Sequence, residues 1–311
     1  MGVVTPAKRR LLDVSRPEHR RGPSRSCRPH TAFVLAGGAS LGALHAGMLR
    51  ALYERGIRAD LLVGTSAGAL NAAYLATRPQ TVQTARALAE VWRQLRRQDV
   101  FPIHPRTVIS GLTNRADHLV PGAPLRRLIS RHLELDRIEH AKVPLHLVAF
   151  DLLSGREVRL SAGSAHEALL AATAIPGVLA PVRFGELLLV DGGVVDNTPI
   201  SHAVELGAER IYVLPTQDPS ARGLPAAPKG ALEAAVHAFT LLTDARLEAD
   251  LARYRGEAEL IVLPASNPTR VPPTDFGHAE RLIGSALRAA REALTRTNPP
   301  EEAQTWAGAS A

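Results

Sequence analysis

At 311 residues, 45% hydrophobic and 22% charged, the chain has the composition of a folded globular protein rather than a disordered or fibrous one. Aromatics make up 4%, too few for a platform on which single-stranded nucleic acid would stack. The net charge of +7 does not mark a nucleic-acid binder either: eight Lys/Arg and two acids fall within residues 1–29, which leaves the rest at +1.

Residues 1–29 hold Pro6, Pro17, Pro23 and Pro29 without an apolar run or periodicity, and are expected to be a disordered basic tail. They lack the apolar core and small-residue cleavage site of a secretory signal. Cys27, the one cysteine, lies there, so no internal disulfide and no cysteine metal site is expected. No stretch reaches the roughly 20 apolar residues of a membrane span. A cytoplasmic protein, at most peripheral on a membrane, is the expectation.

Thr31–Ala36 is an apolar run suited to a buried strand, and it enters the glycine turn Gly37-Gly38-Ala39-Ser40-Leu41-Gly42. Helical spacing from Ala43 to Glu54 stops at Gly56. Asp60–Val63 predicts a second strand and Ala67–Ala76 a second helix. Strand, glycine turn, helix, strand, sharp turn, helix is the rhythm of an α/β protein with a parallel sheet. A helix is predicted over 81–97. Residues 98–124, with four prolines, read as an irregular loop or cap.

Further on, strands are predicted at 145–150, 156–160 and 186–190, the last ending in Asp191-Gly192-Gly193, with a helix at 166–174 between them. A helix at 199–206, a strand at 210–214 and a Pro/Gly linker at 215–230 follow. A long helix at 231–254, a strand at 259–263 and a helix at 279–294 complete the pattern. No repeat and no internal boundary stands out, so one domain over 30–295 is expected, with a frayed tail over 296–311.

Gly64-Thr65-Ser66-Ala67-Gly68 fits G-x-S-x-G between a strand and a helix, the setting in which a serine hydroxyl is pushed outward as a nucleophile. The helix start behind Ser66 brings unpaired N–H groups and a positive dipole end. The 37–42 turn is a poor dinucleotide fingerprint, because Ala39 stands where a glycine is needed and Asp60 stands at the start of the second strand instead of its end. It is no P-loop, since no Gly-Lys-Ser/Thr follows. An oxyanion hole for Ser66 remains.

The base is the open question. Asp191 ends an apolar strand in a third glycine turn, where a carboxylate can accept a serine proton directly. His202, His237 and His278 are the candidates for a Ser–Asp–His triad, and none has a local signal around it. His45 suits packing better than catalysis. No His/Asp/Glu group has metal-ligand spacing. Ser66 with Asp191 is the simplest assignment.

LAGGASLGALHAGML (35–49), GTSAG (64–68) and DGGVVDNTPI (191–200), in this order, resemble the patatin-like phospholipase family. AFDLLSGREVRL (149–160), ATAIPGVLAPV (172–182) and TDFGHAERLI (274–283) are similar to further segments of it. The resemblance implies a three-layer α/β/α sandwich with a mainly parallel central sheet. It implies Ser66 as acyl-accepting nucleophile, Asp191 as base, and the amides of Gly37, Gly38 and Ala39 as oxyanion hole, with Gly42, Gly64, Gly68, Gly192 and Gly193 as motif glycines. It also implies hydrolysis of phospholipid or other fatty-acyl esters without a metal; no cofactor and no nucleic-acid partner are expected. Two positions depart from the family pattern: Ala39 replaces the third glycine of the loop, and Leu41 stands where a basic residue often precedes the last one. The alternatives are a histidine-based α/β-hydrolase esterase and a lipid-binding protein that has lost turnover.

Overall fold

A computed structural model describes residues 11–14, 30–102, 104–113, 115, 117–218, 227, 230–267 and 271–297. In chain order the first elements are strand β1 (Leu11–Val14), strand β2 (Thr31–Leu35), helix α1 (Ala43–Glu54), strand β3 (Leu61–Thr65), and helices α2 (Ala67–Ala76), α3 (Val82–Gln94), α4 (Arg97–Val100), α5 (Pro105–Leu112) and α6 (Ala123–His132). Strands β4 (Leu145–Asp151) and β5 (Arg156–Leu160), helix α7 (Ala165–Ala172), and strands β6 (Val182–Phe184) and β7 (Leu187–Asp191) come next. The chain continues through α8 (Ile200–Glu205), β8 (Arg210–Leu214), α9 (Ala231–Arg253), β9 (Glu259–Val262) and α10 (Ala279–Thr297).

The nine strands among the described residues join one sheet, in the order β1-β5-β4-β3-β2-β8-β9 with β7 and β6 added at β4. Pairing is parallel from β4 through β3, β2 and β8 to β9. Helices cover both faces, which is why the central strands read as unbroken apolar runs. Along β2, Phe33 and Leu35 turn to one face and pack with α1, α2 and α10; Ala32 and Val34 turn to the other and meet α8 and α9. The chain is thus a three-layer α/β/α sandwich with a mainly parallel sheet.

One departure from parallel order positions the site. Strand β3 borders β4 as far as Thr65, opposite Val148. Strand β7 then takes over the same edge from the opposite direction, with Asp191 opposite Ala149. The ends of β3 and β7 therefore meet head-on, where the sequence suggested neighbouring parallel strands. The turn at Gly185 and the short strand β6, which the sequence reading missed, reverse the chain so that β7 runs antiparallel to β4.

Two other expectations are corrected. Within the tail expected to be disordered, Leu11–Val14 pair in parallel with β5, and Asp13 meets Arg159 at 2.5 Å. Leu12 and Val14 pack against the core, and the strand satisfies an edge of β5 that would otherwise stay open. The irregular 98–124 segment contains α5 and the start of α6, because Pro105 and Pro124 occupy first-turn positions where proline starts a helix instead of breaking it. The rest of the basic tail, most of the 215–230 linker and residues from 298 onward lie outside the described residues.

Candidate active site

Ser66 caps the N-terminus of α2 at φ 54°, ψ −124°, a conformation costly for any residue with a side chain. Its N–H donates to Ala172 O at 3.2 Å, while the N–H of Asp191 donates to Ala174 O at 2.9 Å. One short segment at the C-terminal end of α7 therefore holds both backbones. Gly68 is required by clearance: a Cβ there would lie 2.1 Å from Leu35 O. Gly64 and Gly42 are buried in the turns around it, and Gly192 and Gly193 in the turn that carries Asp191.

The Ser66 side chain neighbours the Asp191 carboxylate, near enough for its hydroxyl to favour the ionised form. Gly193 N–H donates to Asp191 Oδ1 at 2.8 Å. Burial pushes the Asp191 carboxyl up to about 6, and these two contacts offset only part of that. Ser66 is 9% exposed and Asp191 4%, so the pair sits almost out of water.

The glycine turn approaches the pair from the end of β2. A Cβ on Gly37 would come within 3.1 Å of Ser66 Cβ. The Gly37 N–H, expected to face an oxyanion, instead donates to Asn197 O at 2.9 Å. The Gly37 carbonyl accepts from Asn197 Nδ2 at 3.3 Å and from the Thr216 hydroxyl. The amides of Gly38 and Ala39 have no such acceptor among the described residues. Ala39 lies at φ 48°, so this position does take the left-handed conformation that a glycine would adopt freely. Asn197 and Thr216 were not singled out by sequence reasoning; only their contact with a turn 160 and 179 residues away reveals them.

Three of the candidate histidines are engaged elsewhere. His202 Nε2 pairs with Glu157 at 2.6 Å. His278 lies on the surface, 3.4 Å from Asp275. His45 bonds Leu214 O through Nε2 and Asn71 through Nδ1, both at 3.0 Å, and burial lowers its pKa to about 4. His237 lies on α9. One grouping escaped the linear spacing: Glu157 on β5, Asp196 in the loop after β7 and His202 on α8 bring ligand-type atoms within 4.8 Å of one another in the interior. Part of it is bonded internally, since Ser201 donates to Asp196 and His202 pairs with Glu157. It lies behind the serine turn, where Thr65 Oγ1 donates to Asp196 O at 2.9 Å.

On the other side of Ser66 a cavity of about 90 Å³ opens among α2, α3, α6 and α7, lined almost throughout by aliphatic and aromatic side chains.

The profile of the patatin-like phospholipase family matches residues 33–204, more than half of the chain. The chain belongs to that family. The match spans all three glycine turns, so Gly37, Ser66 and Asp191 lie within the patatin-like region. An uncharacterized NTE family protein of Mycobacterium tuberculosis is 33% identical over 168 residues, 54% of this chain and 27% of that protein. Lysophospholipase NTE1 of Mycosarcoma maydis is 27% identical over 197 residues, 61% of this chain and 10% of that protein. The chain thus matches about a quarter or less of the length of these relatives. Among solved structures, VipD from Legionella pneumophila aligns with a TM-score of 0.42 and 15% identity, over 95% of this chain and 72% of that one. Among the described residues, no helix of this patatin-like chain is long and apolar enough to cross a membrane.

Proposed function

We propose that the chain is a lipid acyl hydrolase that cleaves carboxylic esters of phospholipid or related fatty-acyl substrates through a Ser66–Asp191 dyad. The observation that carries this reading is the placing of Ser66 beside a buried carboxylate that burial pushes up to about 6. A carboxylate of that basicity is a better proton acceptor than an exposed one, yet remains ionised at neutral pH. Ser66 Oγ attacks the ester carbonyl carbon while Asp191 takes its proton. The oxyanion of the tetrahedral intermediate rests on the Gly38 and Ala39 amides, and the positive end of α2 lies beneath it. Collapse expels the alcohol, which receives the proton from Asp191. Water then attacks the acyl-enzyme, Asp191 accepts its proton, and return of that proton to Ser66 releases the acid. No step requires a metal or cofactor.

The aliphatic cavity beside Ser66 supports a fatty-acyl group as the part bound there. Val194 and Phe239, each 42% exposed, flank the Asp191 turn and support peripheral contact with a lipid surface. Ser66→Ala should abolish both hydrolysis of short-chain nitrophenyl esters and labelling by a fluorophosphonate. Retained turnover in that variant refutes the reading.

A further inference from the structure

The cavity beside Ser66 runs along α2, to which Ser66, Leu70, Ala73 and Tyr74 contribute a lining stripe at helical spacing. From Ser66 to Tyr74 is two turns, about 12 Å at 1.5 Å per residue. Tyr74 and His132 line the end away from Ser66. Behind them a single guanidinium ties the pieces together. Arg78 lies 3.9 Å over the Tyr74 ring, donates to Tyr74 O at 3.0 Å and His132 O at 3.2 Å, and pairs with Glu134 at 2.5 Å. A cation at the C-terminal ends of α2 and α6 meets their terminal carbonyls, the favourable polarity, and also stacks on an aromatic face. Burial together with the positive charges of Arg131 and Arg78 holds the His132 imidazole below its usual pKa, so it stays uncharged beside the apolar wall.

We propose that Arg78, Tyr74 and His132 form a latch that limits the length of the acyl chain the site accepts, so that the preferred substrate carries a medium-length chain. An extended chain advances roughly 3.5 Å per three bonds, so the 12 Å between Ser66 and the latch holds about eight to ten carbons. A longer chain has to push past Tyr74 and His132, whose helix ends one charged group ties together. This inference rests on Ser66 as the point of acyl attachment.

Two measurements separate the latch from that premise. The first is kcat/KM of the wild type on nitrophenyl esters from four to sixteen carbons. The second is the affinity of Ser66→Ala for saturated fatty acids over the same lengths, which needs no turnover. Both should peak at about eight to ten carbons and fall at least tenfold by sixteen. Tyr74→Ala should move both optima to longer chains by about four carbons, the depth the ring occupies. Leu70→Trp, about 6 Å along the same stripe, fills the middle of the slot away from Tyr74 and should move them to shorter chains. A wild-type optimum at fourteen carbons or more, or optima that neither variant moves, overturns the latch. A wild type inert on every ester, with the length cutoff retained in fatty-acid binding, overturns the hydrolase reading and leaves the latch standing.

Discussion

Asp191 succeeds Thr65 along one edge of β4, the first opposite Ala149 and the second opposite Val148, although their strands run in opposite directions. Two strand ends meeting head-on bring the Ser66 hydroxyl and the Asp191 carboxylate together away from water, and burial then makes that carboxylate basic. The pH profile should report it. Protonated Asp191 cannot accept the serine proton, so kcat/KM should fall about tenfold per unit below a pH of about 6 and level off above it. Asp191→Asn should lose about a thousandfold or more at every pH, on the scale of a removed catalytic base. An acid limb below pH 5 in the wild type, or one that survives in Asp191→Asn, counts against Asp191.

The same shift predicts a cost in stability. The folded pKa of Asp191 lies above the ordinary 3.8. The folded state therefore holds the proton more tightly than the unfolded chain does. Its stabilising effect is complete below 3.8 and is lost as pH rises through about 6. At neutral pH the buried charge costs on the order of 2–3 kcal/mol. Asparagine can keep the contacts with Ser66 and Gly193 without that charge. Asp191→Asn should therefore be more stable than the wild type at pH 8 and indistinguishable from it near pH 3.5, in denaturant melts at each pH.

Ala39 is strained where a glycine would not be. At φ 48° an L-residue pays about 1–2 kcal/mol, and glycine offsets part of that gain with its greater freedom when unfolded. Ala39→Gly should stabilise by about 0.5–1 kcal/mol and keep full turnover. Ala39→Val, β-branched at positive φ, should destabilise by about 2 kcal/mol or more and lower kcat. Equal melting points for Ala39→Gly and Ala39→Val exclude strain at this position.

Much of this site was legible because its parts are local. Each glycine turn is a contiguous stretch, and Ser66 declares itself through four neighbours and a following helix. The limits α1 43–54, α2 67–76 and β5 156–160 match the sequence reading because helical spacing and turn residues lie inside the segments themselves. What depends on distant partners was not legible. Leu11–Val14 became a strand only because β5 offered an edge. The direction of β7 depends on the reversal at Gly185, and the role of Gly37 on a partner at Asn197. Proline was misread for a related reason: its effect in 98–124 depends on whether it falls at the start of a helix or inside one.

Asn197 joins two of the glycine turns and yields the sharpest test. Its backbone carbonyl and side-chain amide grip the Gly37 peptide. Its Oδ1 and Asp191 Oδ1 lie 3.1 and 3.2 Å from the point where a Gly193 Cβ would stand. Asn197→Ala removes the side-chain amide from the Gly37 carbonyl but leaves the backbone bond to the Gly37 N–H, so looser placing of the neighbouring Gly38 and Ala39 amides should lower kcat by about tenfold with little change in KM. Asn197→Asp adds a second carboxylate beside the first. Like charges at that range disfavour ionisation, so Asp191 should hold its proton more tightly and the acid limb should move up by about 1–2 units. A variant that merely loosens the fold lowers activity at all pH values alike. A displaced limb in Asn197→Asp, with an undisplaced one in Asn197→Ala, therefore identifies Asp191 as the titrating base and Asn197 as the residue that positions its neighbours. An unmoved limb in Asn197→Asp removes Asp191 from that role.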